Sequence, residues 1–147
     1  QPEIPPNTGN IIRLCANTGS KLHLIHPLGF VISEKNLERA ALDYGEGVEI
    51  IHHKNFEAFL QNTQLRSYYS VSTKGEPMMN DISIKAGDYL MFGSETKGLP
   101  KGCLTHEKCQ KVIRIPMADG SRSLNLSNSV AIIVYFALGQ NDFTGLS

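Results

Sequence analysis

The chain has 147 residues, 41% of them hydrophobic. That suffices for one domain burying roughly 70% of the surface its unfolded form exposes, and no apolar run approaches the ~20 residues a membrane span needs. Fourteen basic and fourteen acidic residues cancel, which counts against a wholly basic, nucleic-acid-coating surface but leaves room for a local patch.

The chain opens Gln1-Pro2-Glu3-Ile4-Pro5-Pro6. It shows no secretory signal pattern and no initial methionine, so the expectation is a chain whose true start is missing. Cys15, Cys103 and Cys109 are an odd set, which argues against a disulfide framework and fits a reducing cytoplasm.

Helix periodicity predicts a helix over Asn10 to Thr18, with Ile11, Leu14 and Cys15 on one face and Gly19 as its stop. Lys21 to His26 reads as a strand. Ser33 caps an expected helix carrying Leu37, Ala40 and Ala41 that stops at Gly45. Val48 to His52 reads as a strand, Asn55 to Gln61 as a short helix and Tyr68 to Ser72 as another strand. Lys74-Gly75-Glu76-Pro77 is turn chemistry. Tyr89 to Phe92 and Val112 to Ile115 are apolar enough for buried parallel strands, and Ser127 to Leu138 for a helix buried on more than one face. The alternation predicts an α/β domain with a mostly parallel sheet and helices on both faces.

In open sheets of this class ligands sit beyond the carboxyl ends of the strands, and three loops there carry unusual chemistry. Asn7 and Thr8 are candidate caps for the first helix, whose amides would favour an anion. Arg13, six residues after Asn7, could point to the same place; a capped helix with a solvated Arg is the plainer alternative. Phe92-Gly93-Ser94-Glu95-Thr96-Lys97-Gly98-Leu99-Pro100 allows tight turns and close backbone approach to a ligand. It lacks the Gly-Lys-Ser/Thr of a P-loop, and a plain glycine-rich connection competes with the ligand reading. In Ser121-Arg122-Ser123-Leu124-Asn125-Leu126-Ser127-Asn128, five small polar residues crowd a helix start where one cap suffices. They suit a polar ligand or, alternatively, redundant capping.

Other candidates are plainer. Cys103-x-x-His106-x-x-Cys109 offers three soft ligands where a structural zinc site uses four, so no metal is expected. His52 and His53, adjacent in a strand, point to opposite faces and cannot chelate together. Cys15 reads as core, and Tyr135 as packing or a dimer contact.

Together the three segments resemble the motifs of the SPOUT superfamily of trefoil-knotted methyltransferases. Asn7 and Arg13 match its first element. Phe92 to Pro100 matches the second, and Ile115-Pro116-Met117 with Ser123-Leu124-Asn125-Leu126-Ser127 the third. The stretch from Pro2 to Gly19, Leu42-Asp43-Tyr44 and Asp88 to Gly93 are similar to the minimal, one-domain tRNA (cytidine/uridine-2′-O)-methyltransferase branch. The likeness runs from Pro2 to about Leu138; a strand that the branch places before the Pro-Glu-Ile-Pro-Pro stretch is missing.

The resemblance implies a single domain over 1–147 with a deep C-terminal knot, a feature nearly absent elsewhere. It implies S-adenosylmethionine as methyl donor, leaving S-adenosylhomocysteine, with no metal. Cofactor loops fall at Val71 to Thr73 (Val71 and Ser72), Gly93 to Leu99, and Ile115 to Asn125 (Ile115, Met117, Ser123 and Leu124). Catalytic candidates are Asn7, Arg13, Glu95, Ser123 and Asn125. A homodimer is implied, with Arg13 of one subunit approaching cofactor held by the other. The expected substrate is the wobble ribose of a cytidine or uridine in the tRNA anticodon loop, with neither DNA nor membrane as partner. The alternatives are an rRNA target or a non-catalytic RNA-binding or assembly protein on the same scaffold. Lys97, Lys101, Lys108, Lys111, Arg114 and Arg122 bias the stretch from 97 to 122 toward phosphate contact, against the alternative of a solvated rim.

Overall fold

Two prolines open the first helix. In the computed structural model, which describes residues 1–30 and 48–147, α1 runs Pro5–Thr18. Proline suits a first helical turn because its φ is already helical and its missing N–H has no intrahelical partner there. The helix therefore starts ahead of the expected Asn10. It ends as expected, where Gly19 turns left-handed at φ 65° and donates its N–H to Cys15 O. The helix expected from Ser33 to Gly45, and the match at Leu42-Asp43-Tyr44, lie outside the described residues.

The described residues form two compact units, Gln1–Gln64 and Leu65–Ser147. In the first, β1 (Leu22–Ile25) and β2 (Ile50–His53) pair in parallel, Leu22 opposite Ile50 and Ile25 opposite His53. Alternation along the strands separates two faces. Leu22, Leu24 and Ile50 pack with Ile12 of α1. His23 and His53 turn the other way, against Phe59 of α2 (Phe56–Thr63). Asn55 caps α2, its side chain accepting from Ala58 N at 2.8 Å.

The second unit holds β3 (Tyr68–Val71), β4 (Tyr89–Phe92) and β5 (Cys109–Ile113) in the order β4-β3-β5, every pair parallel. Tyr68 and Tyr69 point to opposite faces. Tyr69 joins Ile84, Ile113 and Ile133 in a buried cluster, with Ile133 and Phe136 contributed by α4 (Leu126–Gln140). Burying each such side chain stabilises the fold by ~1.5–3 kcal/mol. On the other face the Tyr68 hydroxyl donates to Cys103 O, 2.6 Å away in the short helix α3 (Lys101–Leu104). Helices thus cover both faces of this sheet.

Beyond α4, two side-chain amides clip the chain to residues 82–86. Gln140 accepts from Ile84 N and donates to Ile82 O, both at 2.8 Å, while Asn141 accepts from Ala86 N and donates to Ile84 O.

Two further elements depart from expectation. β5 begins at Cys109 rather than Val112 because Gln110 and Lys111 are exposed on a strand at the sheet's edge, where no apolar run is required. α4 buries one face in the single chain: Val130 and Ile133 are buried, whereas Ile132 and Tyr135 are 37% and 46% exposed.

Candidate active site

Three loops leave the carboxyl end of the β4-β3-β5 sheet. The first begins at Ser72, whose N–H donates to Ile113 O at 3.0 Å, so the loop starts by extending the β3–β5 ladder. The Ser72 hydroxyl accepts from Lys74 N, and its carbonyl accepts from Gly75 N at 3.1 Å. Gly75 lies so close to β5 that a Cβ there would stand 2.6 Å from Val112 O. Pro77 O then accepts from Arg114 N at 3.0 Å, and Arg114 O accepts from Met79 N at 2.9 Å. Sequence reasoning missed this second contact; its only signal was the Gly75-Glu76-Pro77 turn.

The second loop folds back on itself. Gly98 N donates to Ser94 O at 3.0 Å and Lys97 N to the Ser94 hydroxyl at 3.3 Å, with Gly98 left-handed at φ 66°. A side chain on Gly93 would overlap the backbone of Gly98 and Leu99, so only glycine fits there without moving the loop. Glu95 is half-buried within this loop.

The third loop follows β5. Ile115 packs against the Tyr69 cluster and Met117 is half-buried. Ser121 donates through both N–H and hydroxyl to Ala118 O, closing a turn around left-handed Gly120. Ser123, Leu124 and Asn125 are exposed, Leu124 at 40%. Asn125 Oδ1 caps α4, accepting from Ser127 N at 2.9 Å, Asn128 N at 3.3 Å and the Ser127 hydroxyl at 2.7 Å.

Val71, Ser72, Gly93, Glu95, Ile115, Met117, Ser123, Leu124 and Asn125 are therefore all carried at one end of one sheet. These loops carry the exposed Leu124, the half-buried Met117 and Leu99, and the Glu95 carboxylate, a mixed set of apolar and charged groups. Such a set suits a ligand with an apolar ring, hydrogen-bonding edges and positive charge, which fits a sulfonium nucleoside.

Asn7 and Arg13 belong to the first unit, on α1. Asn7 and Thr8 are not caps: they lie inside the helix and are buried, and the first residue outside it is Ile4. Pro5 and Pro6 have no N–H, while Asn7 and Thr8 donate theirs to Ile4 O at 3.1 and 3.4 Å. The Asn7 and Thr8 amides at this helix start are thus already engaged, contrary to the expectation that they would favour an anion. Arg13 is exposed. Six residues of helix separate it from Asn7 by about 240° at ~3.6 residues per turn, so the two occupy different faces.

Among the remaining candidates, Cys15 is buried and its thiol is pushed up to about 11 by that burial, which leaves it unreactive. His106 Nδ1 accepts from Lys108 N at 3.1 Å, and Cys109 Sγ donates to the Ser70 hydroxyl at 3.4 Å. Among the described residues no three His, Cys, Asp or Glu side chains gather around a metal position. Within the basic stretch, Lys108 Nζ donates to Leu65 O at 3.0 Å and Arg114 Nε to Met78 Sδ at 3.3 Å. Lys97, Lys101, Lys111 and Arg122 are exposed.

A profile described as the SpoU rRNA methylase family matches residues 1–135. A protein of Saccharophagus degradans named tRNA (cytidine(34)-2′-O)-methyltransferase is 51% identical over 145 residues, 99% of this chain and 94% of that one. The Escherichia coli K12 protein of the same name is 50% identical, covering 99% of this chain and 92% of its own. A solved structure concerned with the 2′-OH methylation of C/U34 on tRNA superposes with a TM-score of 0.86 at 40% identity, over 97% of this chain and 93% of that chain. No helix among the described residues is long and apolar enough to cross a membrane. Its motifs, its parallel sheet and these end-to-end likenesses agree, and the chain belongs to the SpoU rRNA methylase family.

Proposed function

We propose that this protein is a tRNA 2′-O-methyltransferase that methylates the wobble ribose of cytidine or uridine, using S-adenosylmethionine. The observation that carries the reading is the gathering of all three glycine- and serine-rich loops at the carboxyl end of one parallel sheet. The likeness of about one residue in two to relatives named for cytidine 34 of tRNA favours tRNA over rRNA. Residence in the cytoplasm follows from that substrate.

When bound, the cofactor supplies an electrophilic methyl group with a neutral thioether as leaving group. The protein must hold the 2′-hydroxyl in line, keep water out of the line of attack, and let the hydroxyl proton pass to solvent as the methyl arrives. Backbone groups of Val71, Ser72, Gly93, Ile115, Met117 and Leu124 are assigned to binding, with Ser123 and Asn125 toward the reacting end. Arg13 is assigned an orienting role rather than that of a base, since a guanidinium is a planar fork of donors with no acceptor. Its guanidinium instead binds the neighbouring phosphate and stabilises charge growing on the ribose oxygen. Glu95 balances positive charge beside its loop, and Asn7 holds α1 from its buried face. Exposed Lys97, Lys101, Lys111 and Arg122 provide phosphate contacts.

The whole chain acts as one methyltransferase domain with a C-terminal knot, a reading that rests on its membership of the family and on the motifs from Asn7 to Ser127. The exposed Ile132 and Tyr135 of α4 support a homodimer. In that dimer Arg13 of one subunit serves the cofactor held by the other.

The test is transfer of labelled methyl from S-adenosylmethionine to unmodified tRNA, with the product nucleotide mapped. Label in a 2′-O-methylated wobble nucleotide is expected. Cofactor binding without label on tRNA would overturn the proposal and point to an rRNA target or a non-catalytic RNA binder.

A further inference from the structure

Four of the five histidines meet in two pairs across β1 and β2, one pair on each face. His26 Nε2 lies 2.9 Å from His52 Nδ1, both rings half-buried. On the α2 face, His23 Nδ1 lies 2.9 Å from His53 Nε2, the rings nearly parallel and Phe59 edge-on to both. His53 is 1% exposed, and among the described residues its Nδ1 has no hydrogen-bond partner.

Counting protons fixes the state of this second pair. Two neutral imidazoles share two protons among four nitrogens. One proton must lie between the rings to make the bond. The other sits on His23 Nε2 or His53 Nδ1. A buried N–H without an acceptor is among the rarest features of folded proteins, and His23 is only half-buried. His53 is therefore the Nε2–H donor and His23 Nδ1 the acceptor. A third proton has one place left while the bond survives: His53 Nδ1, where no described residue accepts it.

We propose that the His23–His53 pair is a proton-sensitive latch between β1 and β2, closed with two protons and forced open by a third. Burial holds both histidines below the ordinary value of 6.5, and for His23 the neighbouring His53 lowers it further. Around the pair, α2 contributes the apolar Phe59, with Glu57 exposed. The strand starts contribute Glu49, which raises the value for His23, and Lys21, which lowers it. These two bridge each other at 2.7 Å. Lys54, next in sequence, is exposed, and His52 acts on His53 from the other face. A folded value below 6.5 means the latch holds above that pH and weakens as pH falls. Ile12 of α1 packs on Leu24 of β1, so opening also loosens the support of the helix that carries Arg13.

At pH 5.5 an unrestrained histidine of pKa 6.5 is protonated about ten to one. Excluding the proton from both rings in the closed state thus raises the opening equilibrium about a hundredfold between pH 7.5 and 5.5. Nitrogen-detected NMR on the full chain reads the tautomer, and hydrogen-exchange protection factors at 22–25 and 50–53 read the opening. The expected result is His53 as the neutral Nε2–H tautomer with protection falling ten- to hundredfold. An Nδ1–H tautomer, or proton uptake by His53 with protection unchanged, overturns the latch. In His23→Gln the amide oxygen still accepts from His53 but does not titrate, so the fall shrinks about tenfold; an undiminished fall also overturns it. The wild-type NMR result stands whether or not that variant folds.

Discussion

Asn125 holds α4 and borders the loops proposed to hold the cofactor, and two substitutions separate these tasks. In Asn125→Ala, two first-turn amides and the Ser127 hydroxyl lose their common acceptor. Loss of an N-cap costs ~0.5–2 kcal/mol. Ser127 is only 9% exposed, so water cannot readily replace the acceptor and the upper end, about 2 kcal/mol, applies. For a chain of this size that lowers Tm by roughly 4–8 °C. Asn125→Asp keeps the accepting oxygen and adds a charge favourable at a helix start, so its Tm returns to the wild-type value or above. Thermal melts followed by circular dichroism, run beside methyl transfer to tRNA, read both effects. Asn125→Asp is expected to be stable but impaired in transfer, because it lacks the amide. An Asn125→Ala protein melting with the wild type would refute the capping argument, and a fully active Asn125→Asp would remove Asn125 from the reacting end.

Arg13→Ala, at an exposed position, should change stability by no more than ~0.5 kcal/mol. It should slow methyl transfer ~100-fold or more with cofactor affinity intact by calorimetry; full-rate transfer would sink the role given to it. Gly93→Ala should cost ~1–3 kcal/mol, since the loop backbone must move aside, and should weaken cofactor binding; an unchanged affinity would contradict the tight fold of residues 93–99. Tyr68→Phe strands the Cys103 carbonyl and should cost ~1–3 kcal/mol in urea unfolding, whereas a neutral effect would mean that carbonyl finds another donor. Tyr135→Asp should convert a dimer to monomer in sedimentation velocity; a persisting dimer would place the interface elsewhere.

Local chemistry made much of this protein legible before any coordinates. Gly19, Asn55 and the apolar run at Tyr89 to Phe92 act within a few residues, so the elements they bound appear where periodicity and capping put them. The three loops carry their own turn chemistry, and their place after strands marked them as a site. Local rules compete at the start of α1, and there the structure differs from the local pattern. Asn7 and Thr8 are good caps by composition, but two prolines ahead of them already start the helix, so both residues were drawn inside and buried.

What the sequence determined by itself was the family, the α/β order of elements and the turn chemistry of the three candidate loops, because these depend on residue type and short spacing. Only the tertiary structure decided which residues meet across long separations. It placed Gly75 against Val112, Pro77 and Met79 beside Arg114, and Gln140 with Asn141 against residues 82–86. It also joined His23 to His53, thirty residues apart. Register between strands settles such contacts, and register is set by the packing of the whole face rather than by any one segment.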